Sequence, residues 1–227
     1  MREERFLLGE IPVLLRLPER PKALLLALHG LRGSKEQVLS LLAGYLEAGF
    51  ALLSFDAPRH GPRGHPPSAK DENYVEAFYQ VVLSMAEEAK RVLAELSRPD
   101  LPLFLAGGSM GAFTLHLLLS QGLRVRAALA FIGSGLPMKL PQGYTLKDPE
   151  VKALYEAPPV SRAEAYGKTP LLHLHGSRDL IVPLPGGKDP GGPPPPLSAW
   201  AARPLGTGHE ITPLMARVGL AFLENFL

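Results

Sequence analysis

Leu103-Phe104-Leu105-Ala106-Gly107-Gly108-Ser109-Met110-Gly111-Ala112-Phe113 sets an apolar run directly before a Gly-x-Ser-x-Gly motif, and a helical pattern follows. This arrangement is typical of a nucleophile elbow, in which a serine lies on a sharp turn between a strand and a helix. Small neighbouring residues let the backbone take that turn. The turn raises the Ser109 hydroxyl above the sheet, beside the first N–H groups of the next helix. We therefore expect Ser109 to be a nucleophile.

The motif needs support from its surroundings. A chain with 23 glycines contains Gly-x-Ser-x-Gly by chance on the order of once in ten such sequences. The alternative is an ordinary glycine turn between a strand and a helix. The predicted strand before the motif and the predicted helix after it favour the elbow.

Strands and helices alternate along the chain from residue 22 onward. Continuous apolar runs, typical of inner strands of a parallel sheet, occupy 22–28, 50–55, 101–106, 125–132 and 171–175. Helices are predicted at about 35–48, 72–96, 110–121 and 211–226, and a hairpin at 6–8 and 12–17 precedes them. Such alternation predicts one α/β domain over 1–227, with a mostly parallel sheet and helices on both faces.

Composition excludes several classes of protein. The net charge is only +2 and the basic residues are scattered, so neither nucleic acid nor an anionic membrane is an expected partner. No apolar run approaches the roughly 20 residues that span a bilayer. The absence of cysteine rules out disulfides, thiolate metal sites and a cysteine nucleophile. Together with a first segment of mixed charge and no signal-peptide core, it predicts a cytoplasmic protein.

A serine nucleophile needs a base, and that base needs an acid to orient it. In a parallel sheet all three groups stand at the carboxyl ends of strands. His209 lies after the last predicted strand, in Gly206-Thr207-Gly208-His209-Glu210, and is the predicted base; the alternative is a surface-loop histidine. The other histidines are predicted to pack inside elements, mark strand exits or lie on an early loop: His116, His173, His29, His175, His60 and His65.

The acid should follow the strand at 171–175. Asp179 does so, in Gly176-Ser177-Arg178-Asp179, and its alternative role is a turn or helix-capping aspartate. Asp148 and Asp189 are poorer candidates because neither follows a clear strand.

An oxyanion needs two N–H donors. The backbone N–H of Met110 directly follows the nucleophile, and the N–H of Leu31 lies on the loop after the strand at 22–28. Both are predicted to form the oxyanion hole.

These pieces resemble the serine α/β-hydrolase superfamily, in particular single-domain esterases of the dienelactone-hydrolase-like and prolyl-oligopeptidase-like group. The matching segments follow one another in the order of that family: His29-Gly30-Leu31-Arg32-Gly33, Phe55-Asp56-Ala57-Pro58-Arg59-His60-Gly61, Gly107-Gly108-Ser109-Met110-Gly111, His175-Gly176-Ser177-Arg178-Asp179 with Val182-Pro183, and Gly208-His209. The resemblance implies the α/β-hydrolase fold and a Ser109–His209–Asp179 triad that needs no cofactor or metal. It also implies that 56–64 packs near the site, where His60 and Arg59 brace the loop rather than bind substrate.

The expected reaction is hydrolysis of a small-molecule carboxylic ester with a small to medium acyl chain, through an acyl-enzyme. Segment 133–168 is either a small cap over the acyl pocket or a surface excursion. Thioesters, amides or peptides as substrates, and acyl transfer, remain alternatives with the same triad. A non-catalytic binding protein on a hydrolase scaffold is the alternative of another class. Dienelactone hydrolysis proper is not implied, because that activity uses a cysteine.

One stretch departs from the family pattern. Four consecutive prolines and paired glycines at 185–196 are incompatible with the helix that the family has there. One interpretation is a natural surface loop. The other is a local frameshift, because codons for residues 185–192 read one base later can encode Arg-Val-Glu-Lys-Thr-Leu-Glu-Ala, a good helix. A frameshift up to about 206–208 would also disturb a last strand at 200–205 and the placement of His209.

Overall fold

A computed structural model describes residues 1–96, 100–182, 199–202 and 206–227. Its eight strands form one sheet in the order β1-β2-β4-β3-β5-β6-β7-β8. Strands β1 and β2 form an antiparallel hairpin and β2 is antiparallel to β4, whereas all later pairings are parallel. The strands are β1 Arg2–Leu8, β2 Ile11–Leu17, β3 Ala23–Leu28, β4 Phe50–Phe55, β5 Leu103–Gly108, β6 Ala128–Phe131, β7 Leu171–Leu174 and β8 Ala199–Ala202.

Helices cover both faces of this sheet. They are α1 Lys35–Leu41, α2 Tyr74–Glu95, α3 Met110–Ser120, α4 Pro149–Glu156 and α5 Pro213–Glu224. Helices α2 and α3 pack on one face, and α1 and α5 on the other. The predicted fold class is confirmed: a mostly parallel sheet between two layers of helices. Among the described helices, none has the length and apolar character needed to cross a bilayer.

The central strands are apolar throughout because both of their faces are covered. All six residues of β3 are buried. Leu24, Leu26 and Leu28 point into the core under α2 and α3, and Leu25 and Ala27 point into the core under α1 and α5. The period-two geometry of a strand thus divides one continuous apolar run between two cores.

Several predicted boundaries differ from the observed ones. Helix α1 starts after Ser34, whose side chain accepts from Gln37 N as the capping pattern predicted, but it ends at Leu41 instead of about residue 48. The chain leaves helical geometry at Leu42 and continues as a 3₁₀ turn at Ala43–Tyr45, which contains the poor helix former Gly44. Strand β6 starts at Ala128 rather than residue 125 because only four residues pair with β7.

The proline- and glycine-rich stretch at 185–196 lies outside the described residues. The strand expected near 200–205 is present as β8, which pairs in parallel with β7 over its four residues; 203–205 are again outside the described part. Over 199–202 the pairing of β8 with β7 is regular, so the disturbance that a frameshift would cause is not seen in these four residues.

The elbow depends on glycines that allow close backbone approach. A Cβ atom added at Gly111 would lie 2.1 Å from Leu28 O, and one at Gly107 would lie 2.2 Å from Gly111 O. Helix α3 can therefore rest directly on β3 and β5 only if both positions lack a side chain.

We predict that Gly111→Ala lowers the free energy of unfolding by about 3 kcal/mol, because the new methyl group must displace the β3 backbone. Gly44→Ala is the control: its Cβ would meet nothing within 4 Å, so stability should stay the same or rise by up to about 1 kcal/mol. Urea titrations followed by circular dichroism measure both. Equal stability of the two variants would contradict the close-packing explanation.

Buried histidines make stability sensitive to acid. Burial lowers the pKa of His29 and of His173 to about 4 from 6.5, and the pKa of His116 well below 6.5. Above pH 6.5 each is neutral in both folded and unfolded chains. As the pH falls from 6.5 towards 4, the unfolded chain binds protons that the folded chain excludes, so stability falls.

We predict that His173→Gln reduces this acid sensitivity. Between pH 7.5 and 4.5, the parent should lose about 2.5 kcal/mol more unfolding free energy than the variant, the linkage contribution of one such histidine. Urea unfolding at the two pH values measures the difference. An equal loss in both proteins would show that His173 titrates normally in the folded state.

Candidate active site

Ser109 stands on a strained turn between β5 and α3. Its φ of 52° and ψ of −113° lie in a region that side-chain-bearing residues rarely adopt. The turn is held because Ser109 N donates to Phe131 O on β6, and Ser109 O accepts from the N–H groups of Ala112 and Phe113. The neighbouring strand and the first turn of α3 thus fix the direction of the hydroxyl.

The structure brings together the three side chains singled out from the sequence. His209 Nε2 lies 2.9 Å from Ser109 Oγ, and His209 Nδ1 lies 2.8 Å from Asp179 Oδ2. Asp179 follows β7 and His209 lies between β8 and α5. Because Nδ1 faces a carboxylate it carries the proton, which leaves Nε2 free to accept the serine proton.

The surroundings of Asp179 keep it ionised. Its side chain is fully buried, and burial raises its pKa. Hydrogen bonds from His209 and from the backbone N–H groups of Val182 and Ile181 outweigh this and leave the pKa below its ordinary value. Both N–H groups donate to Oδ1, at 3.0 and 2.9 Å, so Oδ2 faces the histidine.

The loops that carry Asp179 and His209 are joined by backbone contacts. Arg178 N donates to Thr207 O at 2.9 Å, and Gly206 N donates to Ser177 Oγ at 2.8 Å. A Cβ atom at Gly176 would lie 2.1 Å from Gly208 O. The relative position of the acid and the histidine therefore depends on this glycine.

The loop after β3 lies beside Ser109. A Cβ atom at Gly30 would be 3.4 Å from Ser109 Cβ. Within the described part of the chain, the backbone N–H groups of Leu31 and Met110 donate to no other protein atom. Met110 thus directly follows Ser109 in the chain, and Leu31 directly follows Gly30, which lies against the Ser109 side chain.

Two histidines lock the Leu31 loop to the loop after β4. His29 Nδ1 donates to Gly30 O, and its Nε2 accepts from Ala57 N. In return, His60 Nε2 accepts from Arg32 N on the first loop. The predicted bracing role of His60 fits these contacts, whereas His29 has a larger role than the strand exit that its following glycine suggested.

Charged pairs also hold the loop after β4 in place. Asp56 accepts from Lys35 N at 3.0 Å and from Lys35 Nζ at 2.5 Å. Arg63 forms a two-pronged pair with Glu88 of α2 and also donates to Asp56 O. The loop at 56–64 is thereby tied to α1 and α2. Arg59 donates to His65 O within the loop, in keeping with the predicted bracing.

Segment 133–168 starts against Ser109 and continues over α2. A Cβ atom at Gly133 would lie 2.8 Å from Ser109 O. Further along, Met138 N donates to Tyr79 Oη of α2. Asp148, the weaker acid candidate, caps α4 by accepting from Glu150 N and Val151 N, so it has a structural role. The other weak candidate, Asp189, lies outside the described residues.

Of the remaining buried histidines, two pack in the core and one is a neighbour of Asp179. His116 and His173 are buried and stack 5.0 Å apart, as their positions inside elements predicted. His175 directly follows β7, as predicted, and in addition its Nε2 lies 3.1 Å from Asp179 Oδ2. The four-residue spacing between His175 and Asp179 is the sequence signal that could have indicated this contact.

No group of three or more His, Asp or Glu side chains suited to a metal ion occurs among the described residues.

Comparison with solved structures shows a close match. The crystal structure of TT1662 from Thermus thermophilus is 60% identical, with a TM-score of 0.91 and coverage of 99% of this chain and 97% of that one.

Curated relatives are more distant. The Escherichia coli protein named esterase YjfP is 26% identical over 196 residues, or 78% of each protein. The Bacillus subtilis protein named putative esterase YitV is 27% identical over 183 residues, 72% of this chain and 71% of the relative.

The family model Hydrolase_4, described as serine aminopeptidase, S33, matches residues 19–159. The matched region runs through β3, β4, β5, β6 and α4, and it includes Ser109 and both loops around it. The chain therefore belongs to this hydrolase family of the serine α/β-hydrolase superfamily.

Proposed function

We propose that the protein is a serine esterase that hydrolyses carboxylic esters of small to medium acyl chains. The observation that carries the proposal is the unbroken hydrogen-bonded chain from Ser109 Oγ through His209 to Asp179. The names of two curated relatives, one an esterase and the other a putative esterase, support the same class of reaction.

Acylation begins when Ser109 Oγ attacks the acyl carbon and His209 Nε2 takes its proton. Asp179 stabilises the imidazolium that forms and keeps the ring in the tautomer that can accept at Nε2. The N–H groups of Leu31 and Met110 donate to the oxyanion; losing one such donor usually raises the barrier by about 3–4 kcal/mol. The imidazolium then protonates the leaving alcohol.

Deacylation repeats the same steps with water. His209 removes a proton from water as the oxygen attacks the acyl carbon, and the collapse of the second tetrahedral intermediate returns the proton to Ser109. The chemistry uses no cofactor and no metal.

We infer that segment 133–168 forms a cap beside the acyl group. The support is its start against Ser109 O and the packing of Met138, Leu140 and Tyr144 on the core under α2. These partly buried side chains are apolar, as the cap of an acyl chain would require. The proposed substrate is a small molecule. We also propose that the enzyme is cytoplasmic, as the lack of cysteine suggested.

A peptidase is the second candidate, because the matching family model is described as a serine aminopeptidase. The triad chemistry serves esters, thioesters and amides alike, and acyl transfer needs only an alcohol in place of water. Matched ester, thioester and anilide substrates with one acyl group separate these activities. A protein that no phosphonate labels at Ser109 would instead be a binding protein on a hydrolase scaffold.

We predict that Ser109→Ala abolishes hydrolysis of p-nitrophenyl esters from acetate to decanoate, a loss of the order of 10⁴- to 10⁶-fold in kcat. Ser40→Ala is the matched control, because this exposed serine donates only to Glu36 O on α1, and should retain parental rates. Full activity of Ser109→Ala would exclude the triad. The chain length with the highest kcat/KM would measure the depth of the acyl site.

We also predict that Gly176→Ala lowers kcat by about 100-fold, because its methyl group pushes the loops of Asp179 and His209 apart and a displacement near 1 Å costs on that order. KM should change little, since the substrate-binding surfaces are untouched. The Gly44→Ala variant serves again as control. A Gly176→Ala enzyme with parental kcat would show that the loop contact does not set the catalytic geometry.

A further inference from the structure

Asp179 contacts a second imidazole besides that of His209. His175, the residue directly after β7, places Nε2 3.1 Å from Asp179 Oδ2, the oxygen that also accepts from His209 Nδ1 at 2.8 Å. The His175 side chain is only 2% exposed and that of Asp179 is fully buried. Water therefore does not compete for this contact, and the interaction is stronger than at a surface.

The surroundings of His175 Nε2 fix the position of its proton. Nε2 lies 2.7 Å from Val182 O and 3.1 Å from Asp179 Oδ2. A carbonyl oxygen and an ionised carboxylate are acceptors only, so Nε2 carries a hydrogen, which it donates to Val182 O while in contact with Asp179 Oδ2. In the neutral ring this requires the Nε2–H tautomer.

Both oxygens of the Asp179 carboxylate have two N–H neighbours. Oδ1 accepts from Ile181 N and Val182 N, and Oδ2 accepts from His209 Nδ1 and contacts His175 Nε2. His175 Nε2 also donates to the carbonyl oxygen of Val182, the residue whose N–H binds Oδ1. The ring of His175 thus acts on both oxygens, on Oδ1 through Val182 and on Oδ2 by direct contact.

We propose that His175 is a positioning residue for this reaction: its Nε2–H holds Val182 O and contacts Asp179 Oδ2, and so keeps that oxygen aligned with His209 Nδ1. The inference rests on the proposed function, because alignment matters only if His209 acts as the base. It assigns a role to a histidine that touches neither substrate nor nucleophile.

Two amide variants of His175 test this role, because they differ in how far the amide nitrogen extends from the backbone. The Gln amide nitrogen extends to about the position of His Nε2, whereas the Asn amide extends only to about the position of Nδ1. His175→Asn should lower kcat about tenfold with KM within twofold of the parent, and His175→Gln should restore most of the rate. Melting temperatures of both variants separate this effect from a loss of folded protein.

Several kinetic outcomes would overturn the proposal. They are parental kcat in the Asn variant, an equal loss in both variants at equal melting temperature, and a loss confined to KM. If the parent hydrolyses no ester while Ser109 still reacts with a phosphonate, the choice of substrate class fails and the two variants are compared by their rates of phosphonate labelling instead.

The tautomer of His175 is a second measurement that needs no variant. In the parent protein labelled with ¹⁵N-histidine, the assigned ring nitrogens of His175 should show a protonated Nε2 near neutral pH. An Nδ1–H tautomer would overturn the proposal whatever the activity, because Asp179 Oδ2 would then face a lone pair. The tautomer can be measured even if the protein hydrolyses no ester. The proposed function and the proposed role of His175 can therefore fail independently of each other.

Discussion

The turn at Ser109 is the constraint on which the site depends. A side-chain-bearing residue with a φ of 52° is strained, and it persists only because its surroundings fix it on several sides. Phe131 O accepts from Ser109 N, and the first turn of α3 donates back to Ser109 O. Close approach at Gly107 and Gly111 sets α3 directly on β3 and β5. The strain is thus balanced by packing of the most buried helix in the described chain.

Around this turn, the loops are held by polar contacts with one another rather than by the hydrogen bonds of helices or strands. The loops after β3 and β4 exchange hydrogen bonds through His29 and His60, and the buried pair of Lys35 and Asp56 joins them to α1. Such a network is stable because nearly every buried donor has an acceptor. Burial lowers the pKa of both histidines, in keeping with rings that accept a backbone N–H at Nε2.

Sequence patterns predicted the elements better than their ends. Continuous apolar runs located β3 and β4 to within a residue, because a strand covered on both faces must be apolar throughout. Helix α1 was predicted too long: the capping signal at Ser34 marks its start, but no comparable signal marks the change to a 3₁₀ turn after Leu41. The ring contacts of His29 and His175 are not predicted, because a following glycine indicates a strand exit and says nothing about the hydrogen-bond partners of the ring.

The sequence by itself determined the alternation of strands and helices, the elbow at Ser109, and the order in which Asp179 and His209 follow it. These are consequences of hydrophobic period and turn chemistry, which act between neighbours in the chain. Only the tertiary structure decided that Gly176 sits against Gly208, that His29 and His60 join two loops, and that His175 shares Asp179 Oδ2 with His209. Such contacts join residues whose proximity is set by the register and crossing of strands, and a hydrogen bond depends on tenths of an ångström that no linear pattern carries.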